Sequence, residues 1–186
     1  MLRIIAGTAR GRRIETPEGR DTRPTLDRVR ENLFNMLQLR VRDARVLDLF
    51  AGSGALSLEA LSRGAASAVL GDRDREALRV ERKNAESLGF QERVRIIPGD
   101  WTRTLSLLKA GEERFDLVFL DPPYAMHDLR DVMSGLKELL TEDAWIIAEH
   151  EAKAEILAAP EYERINQRSW GYCGVSFFRL KSTEER

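Results

Sequence analysis

The sequence predicts an α/β fold: a mostly parallel seven-stranded sheet that ends in an antiparallel C-terminal hairpin, preceded by a small β-hairpin and a helix. Three observations lead there. From Arg45 onward, apolar runs of strand length alternate with amphipathic stretches of helix length, the pattern of repeated βα units with helices on both faces of a parallel sheet. Glycines and acids follow several of those runs, where such sheets bind ligands. Near the C-terminus, two β-prone runs stand too close together for a helix to join them.

Taken in order, Leu2 to Ile14 reads as two short β pieces around Gly7 and Gly11. A looser stretch through Pro17, Gly19 and Pro24 follows. A helix is then expected with Thr25 as its cap, burying Leu26, Val29, Leu33 and Leu37 at helical spacing. Arg30 lies close to that stripe, where its stem would pack and its head reach solvent. The next five strands are expected at Val46–Phe50, Ser67–Gly71, Val94–Ile97, Phe115–Leu120 and Trp145–Ala148. Helices are expected between them at Ala55–Arg63, Asp74–Leu88, Thr102–Lys109 and Asp128–Leu140. Tyr162–Arg168 and Val175–Leu180 form the closing hairpin. There are no internal repeats and no low-complexity segment.

At 186 residues, 42% hydrophobic and 33% charged, the chain is long enough for one domain with a full core and a small appendage. Its single cysteine, Cys173, excludes an internal disulfide and fits a reducing compartment. No apolar stretch approaches the roughly 20 residues of a membrane span, and residues 1–13 lack a signal peptide's apolar region, so a cytoplasmic protein is expected. The net charge of −1 conceals an asymmetry. Residues 1–45 hold eleven arginines against six acids, an excess of five positive charges, and the remainder carries −6. A basic end on an acidic body points to a polyanion as partner; the alternative is a solvated arginine-rich surface.

Two motifs carry chemistry. Asp121-Pro122-Pro123-Tyr124 directly follows the fourth strand. Two prolines make the turn rigid and remove two backbone donors, so the carbonyls of Asp121 and Pro122 are expected to accept hydrogen bonds from a ligand. A carboxylate, a carbonyl and an aromatic face suit a flat base with an exocyclic amine. Such an amine is a poor nucleophile because its lone pair is delocalised into the ring. Acceptors on both N–H groups draw that pair back out, while Tyr124 would stack on the base, worth about 1–3 kcal/mol. The alternative is a turn in which the prolines only stop the strand. The second motif, Asp48-Leu49-Phe50-Ala51-Gly52-Ser53-Gly54, joins a strand to a helix and lets backbone approach a ligand. Asp72, 18 positions beyond Gly54, stands where a carboxylate meets ribose hydroxyls. These features leave several ribosides open.

The set as a whole, with Gly99-Asp100-Trp101 after the third strand, resembles the class I S-adenosylmethionine-dependent methyltransferases of the amino-methylating kind, which are Rossmann-like. The resemblance implies that Gly52 and Gly54 hold the methionine part of the cofactor, with Asp48 and Phe50 nearby. It further implies that Asp72 binds the ribose, that Asp100 meets the adenine amine, that Trp101 flanks the ring, and that Arg73 belongs to the same site. Three N-terminal blocks sharpen it: Arg3-Ile4-Ile5-Ala6-Gly7, Arg10-Gly11-Arg12-Arg13, and Arg23-Pro24-Thr25-Leu26-Asp27-Arg28-Val29-Arg30-Glu31-Asn32-Leu33-Phe34-Asn35. With the strand-end motifs, these are similar to the bacterial RsmD family, which methylates the N2 amine of one guanine in small-subunit ribosomal RNA. One departure is Gly71, where that pattern calls for an apolar residue.

The resemblance implies Asp121, Pro122, Pro123 and Tyr124 as catalytic residues and 16S ribosomal RNA as partner, within the small subunit or an assembly intermediate. Residues 1–40 would form an RNA-binding extension, with Arg10, Arg12, Arg13, Arg23 and Arg28 on the RNA backbone, and residues 41–186 the methyltransferase domain. A monomer is expected, without membrane or metal: His127, His150 and Cys173 give no metal set. Two rivals share these features: an adenine-N6 methyltransferase on DNA or RNA, and a non-catalytic RNA-binding assembly factor. The strand-four motif disfavours a dinucleotide oxidoreductase.

Overall fold

The computed structural model describes residues 2–18, 24–123 and 125–182. Arg23 and Tyr124, expected to contact RNA and base, lie outside the described residues, as do the side chains of Thr25 and Leu26. The chain opens with β1 (Leu2–Arg3) and β2 (Arg13–Ile14), paired antiparallel, and α1 (Pro24–Val41). Then follow β3 (Arg45–Asp48), α2 (Ala55–Ser62), β4 (Ser67–Asp72), α3 (Arg75–Leu88), β5 (Val94–Pro98), α4 (Trp101–Ala110) and β6 (Phe115–Leu120). The chain closes with α5 (Arg130–Leu136), β7 (Leu140–Glu151), β8 (Tyr162–Trp170) and β9 (Cys173–Leu180).

Strands β3 to β9 form one sheet in the order β5-β4-β3-β6-β7-β9-β8. The pairs from β5 to β7 are parallel, and β9 runs antiparallel to both β7 and β8. The chain winds outward from β3 to β5 and then returns to the other side of β3 as β6. That reversal opens a crevice beyond the carboxyl ends of β3 and β6.

Alternation along the strands divides the core into two layers. Val46, Leu70, Phe119, Ile147 and Phe177 pack on the side of α1 and α2. Leu47, Val69, Val118, Ile146 and Phe178 pack on the opposite side, with Leu105 and Leu108 of α4 and Val132 and Leu136 of α5. Both faces of the sheet are therefore covered, which is why its central strands read as continuous apolar runs.

The N-terminal segment is bolted to α2 by a buried acid. The fully buried Glu59 accepts hydrogen bonds from the backbone N–H of Ile5 at 2.8 Å and of Ala6 at 3.0 Å, and pairs with Arg63 at 2.7 Å. Ser62 adds two side-chain bonds, donating to the Ala6 carbonyl at 2.6 Å and accepting from the Ala9 N–H at 2.9 Å. Between them Gly7 takes φ +85°, and a Cβ there would stand 1.8 Å from the Ser62 carbonyl oxygen. Only glycine fits that contact.

Several local expectations change. Arg30 does not reach solvent: it is 5% exposed, donates to the Arg3 carbonyl, pairs with Asp27 at 3.1 Å and lies 3.8 Å from Glu59. Burial disfavours its charge, and Glu59 and Asp27 offset part of that cost. Helix α1 starts at Pro24, ahead of the expected cap at Thr25, because proline suits a helix's first turn. The first sheet strand ends at Asp48 rather than Phe50, where the chain turns into the glycine loop. The expected helix 128–140 is shorter, and β7 begins at Leu140 instead of Trp145. There the Thr141 hydroxyl donates to the Phe115 carbonyl at 3.2 Å and Asp116 Oδ1 at 3.0 Å, and a bulge between Phe115 and Leu117 absorbs the offset. Gly71 stands where an apolar side chain was expected because Thr104 of α4 fills that space: a Cβ would lie 2.9 Å from its Oγ1.

Candidate active site

Four strand ends meet at the crevice. At the end of β3, Asp48 is 1% exposed, and its Oδ2 accepts from the Ser57 hydroxyl at 3.1 Å. Its Oδ1 is buried with no hydrogen-bond partner among the described residues. Burial pushes its carboxyl up to about 7, against the hydrogen bonds from Ser57 and the Phe50 backbone. The glycine loop that follows has Gly52 at φ 58° and Gly54 at φ 77°, the latter capping α2. The loop is held from two sides. Asp72, at the end of β4, accepts the Gly52 N–H on Oδ2 and the Asp74 N–H on Oδ1, both at 2.9 Å. Asn84 of α3 donates to the Ser53 carbonyl at 2.9 Å and also to the Glu15 carbonyl, so it ties the loop to the N-terminal segment.

Behind the loop, Glu81 of α3 is fully buried, and neither carboxyl oxygen has a partner among the described residues. Burial first, then the nearby Asp72 and Asp48, push its carboxyl up to about 9. It is therefore neutral at pH 7.

After β5, Asp100 caps α4: its Oδ1 accepts from the Arg103 N–H at 2.9 Å and the Thr102 hydroxyl at 2.7 Å. Those bonds, the Arg103 N–H foremost, hold its carboxyl below the usual carboxylate range. Trp101 opens the helix, half-buried against the α4 side of the core, and Arg73 is exposed beside the crevice. After β6, Asp121 is exposed, Pro122 is buried, and the exposed Pro123 accepts the Met126 N–H at 2.8 Å, which closes the turn.

Two cavities share this end of the sheet. One, of about 680 Å³, is lined by Phe50, Asp72, Asp100, Trp101, Asp121 and Pro123, among others. The other, of about 160 Å³, lies under the N-terminal segment and includes Asp48, Gly52, Arg30, Asp121 and Glu149 in its walls. Phe50 and Asp121 line both, so the cavities adjoin. The two sequence motifs thus face a single crevice.

Glu149 was missed by sequence reasoning. It ends the Trp145–Ala148 run one residue late, and its neighbours His150 and Glu151 mask it as a polar loop. The signal that would have found it is the one that marked Asp72 and Asp121: an acid directly after an apolar strand run. Burial pushes its carboxyl up, while the thiol of Cys173 donates to Oε1 at 3.3 Å and pulls it down.

The expected RNA-binding arginines are placed less uniformly. Arg10, Arg13 and Arg28 are exposed. Arg12 is exposed as well but donates to the Leu88 carbonyl at 3.4 Å and to the Ser87 carbonyl, at the end of α3.

A family model described as "Conserved hypothetical protein 95" matches residues 2–179. The chain is 38% identical to Ribosomal RNA small subunit methyltransferase D of Escherichia coli strain K12, across 86% of this chain and 79% of that protein. It is 34% identical to the Haemophilus influenzae protein of the same name, across 96% of this chain and 93% of that one. A solved structure of a hypothetical protein from Thermus thermphillus, 33% identical, superposes with a TM-score of 0.79 over 95% of this chain and 98% of its own. The strand order, the crevice and these likenesses agree, and the chain belongs to the Conserved hypothetical protein 95 family, the RsmD family of class I methyltransferases.

Proposed function

We propose that this chain transfers a methyl group from S-adenosylmethionine to the exocyclic N2 amine of a guanine in 16S ribosomal RNA of the small subunit. The observation that carries the reading is that Asp121 shares its cavities with Asp48, Gly52, Asp72 and Asp100. A nucleoside cofactor and a target amine can therefore meet across one carboxylate.

The residues present suit the cofactor. The buried Oδ1 of Asp48, without a partner among the described residues, suits an ammonium group beside the glycine loop. Each Asp72 oxygen accepts one backbone N–H and keeps lone-pair capacity for ribose hydroxyls. Both described bonds to Asp100 fall on Oδ1, which leaves Oδ2 for an adenine amine, with Trp101 and Phe50 against the ring and Arg73 at the rim.

S-adenosylmethionine supplies an electrophilic methyl group, its S–C bond breaking as the N–C bond forms. The Asp121 carboxylate and the Pro122 carbonyl accept the two N–H bonds of the amine and keep its lone pair out of the ring. Pro122 and Pro123 fix the turn, and Tyr124 stacks on the base. Asp121 or water takes the proton that the nitrogen sheds. Orientation of two bound reactants can remove about 7–11 kcal/mol of barrier, so positioning carries most of the rate. The guanine must leave its stack to enter.

Residues 1–40 form an RNA-binding extension on a methyltransferase domain of residues 41–186, with Arg10, Arg13, Arg23 and Arg28 on the phosphates. Arg12 contributes less, since α3 already holds its guanidinium. Labelled cofactor incubated with unmodified small-subunit particles, naked 16S RNA and duplex DNA tests the reading. Label in 16S RNA as a methylated guanine is expected; label in duplex DNA alone would replace this reading with adenine-N6 transfer.

A further inference from the structure

Guanine and adenine differ on the edge that carries the amine. Guanine presents an N1–H donor beside N2, whereas adenine presents a bare N1 lone pair beside N6. One carboxylate on the amine suits both bases. A second acceptor beside it attracts guanine and repels adenine.

The end of β7 provides that second acceptor. Leu120 pairs with Ala148 in the parallel register, so Asp121 and Glu149 stand level on adjacent strands, about 5 Å apart along the hydrogen-bonding direction. Both line the cavity beneath the N-terminal segment. Glu149 shares the strand face of Ile147, which packs on the α1 side, and Val29 and Leu33 of α1 line the same cavity. A carboxylate among such neighbours is costly unless it is paired or hydrogen-bonded. Its one described hydrogen bond comes from the Cys173 thiol on β9, to Oε1 at 3.3 Å. Arg30, the cation in that cavity wall, is committed to the Arg3 carbonyl, Asp27 and Glu59. The thiol steadies Glu149 from behind on Oε1, and the second carboxyl oxygen has no hydrogen-bond partner among the described residues.

We propose that Glu149 reads the target base: its carboxylate accepts the guanine N1–H while Asp121 accepts an N2–H. This rests on the guanine-N2 reading above and adds a specificity-determining residue to it.

The test uses RNA carrying either guanine or 2-aminopurine at the mapped target position, in whichever form, naked or assembled, the wild-type protein methylates. 2-Aminopurine keeps the 2-amine and lacks the N1 proton. Sites built to bind a substrate N–H strongly reject analogues lacking it, so the wild type should favour guanine at least about a hundredfold in kcat/KM. Glu149→Gln, whose amide donates to a bare N1, should bring that ratio within about tenfold while calorimetric affinity for S-adenosylhomocysteine is unchanged. A wild-type ratio below tenfold overturns the proposal even if the variant fails to fold. So does an unchanged ratio in Glu149→Gln, or a loss of cofactor affinity in its place. If the wild type forms no N2-methylguanine at all, the underlying reading fails instead, which separates the two.

Discussion

A single carboxylate at the mouth of the crevice has to lie within reach of both the cofactor and the amine, and Asp121 is the acid that lines both cavities, beside Phe50. Replacing it with alanine removes one of the two acceptors that localise the amine's lone pair. The expected loss in kcat is about a hundredfold to a thousandfold, by analogy with losing one preorganised electrostatic partner. The acids behind it have a different task. Glu81 is neutral in the folded protein until about pH 9, whereas in the unfolded chain it ionises near its ordinary value. Between those values the folded state holds the extra proton, so stability falls as pH rises through that window. Asp48, raised to about 7, adds the same sign at lower pH. Glu81→Gln should flatten the decline in melting temperature between about pH 5 and 9, readable by thermal melts across that range. At this scale Asp72 and Asp121 were legible because each directly follows an apolar strand run, and Asp48 and Asp100 because they belong to the motifs that carry the family resemblance. Glu81, Asn84 and Glu59 were not, since on a helix a buried acid or amide is spaced like any surface polar residue, and only the packing shows what it touches.

The N-terminal segment depends on α2 more than on its own two short strands. Glu59 satisfies two backbone donors and faces Arg63 and Arg30. Glu59→Ala would strand both N–H groups and leave Arg30 with less buried counter-charge, at a cost of about 3–5 kcal/mol. Gly7→Ala would drive a methyl into the Ser62 carbonyl and should detach residues 2–14 before it affects the sheet. Hydrogen exchange reads this directly: faster exchange at Ile5, Ala6 and Ala9, with β3, β4 and β6 unchanged. The alternation of strand and helix was legible because both periods are written in the apolar residues. The start of β7 was not, because Thr-Glu-Asp at 141–143 carries no strand signal of its own. Its place in the sheet is set by the Thr141 bonds to the neighbouring strand.

Over the whole molecule, the charge of +5 on residues 1–45 against −6 elsewhere orients an approaching polyanion toward the N-terminal face. Binding of 16S RNA should therefore weaken steeply with salt. Substituting Arg10 and Arg13 together with glutamine should lower the slope of log affinity against log salt by about 0.7–0.9 for each phosphate that is no longer neutralised. Arg12→Gln should act mainly on the stability of α3. Sequence alone does not separate these arginines, because the same residue type serves a helix end in one case and open surface in the others.

The end of β6 is proposed to present acceptors that make a conjugated amine able to take a methyl group. This role is tested most directly by mass analysis of 16S RNA after incubation of unmodified substrate with S-adenosylmethionine and either the wild type or Asp121→Ala. One N2-methylguanine is expected with the wild type and a near-complete loss with the variant, which still binds S-adenosylhomocysteine. Undiminished methylation by Asp121→Ala, or methyl groups found only on adenine, would contradict it.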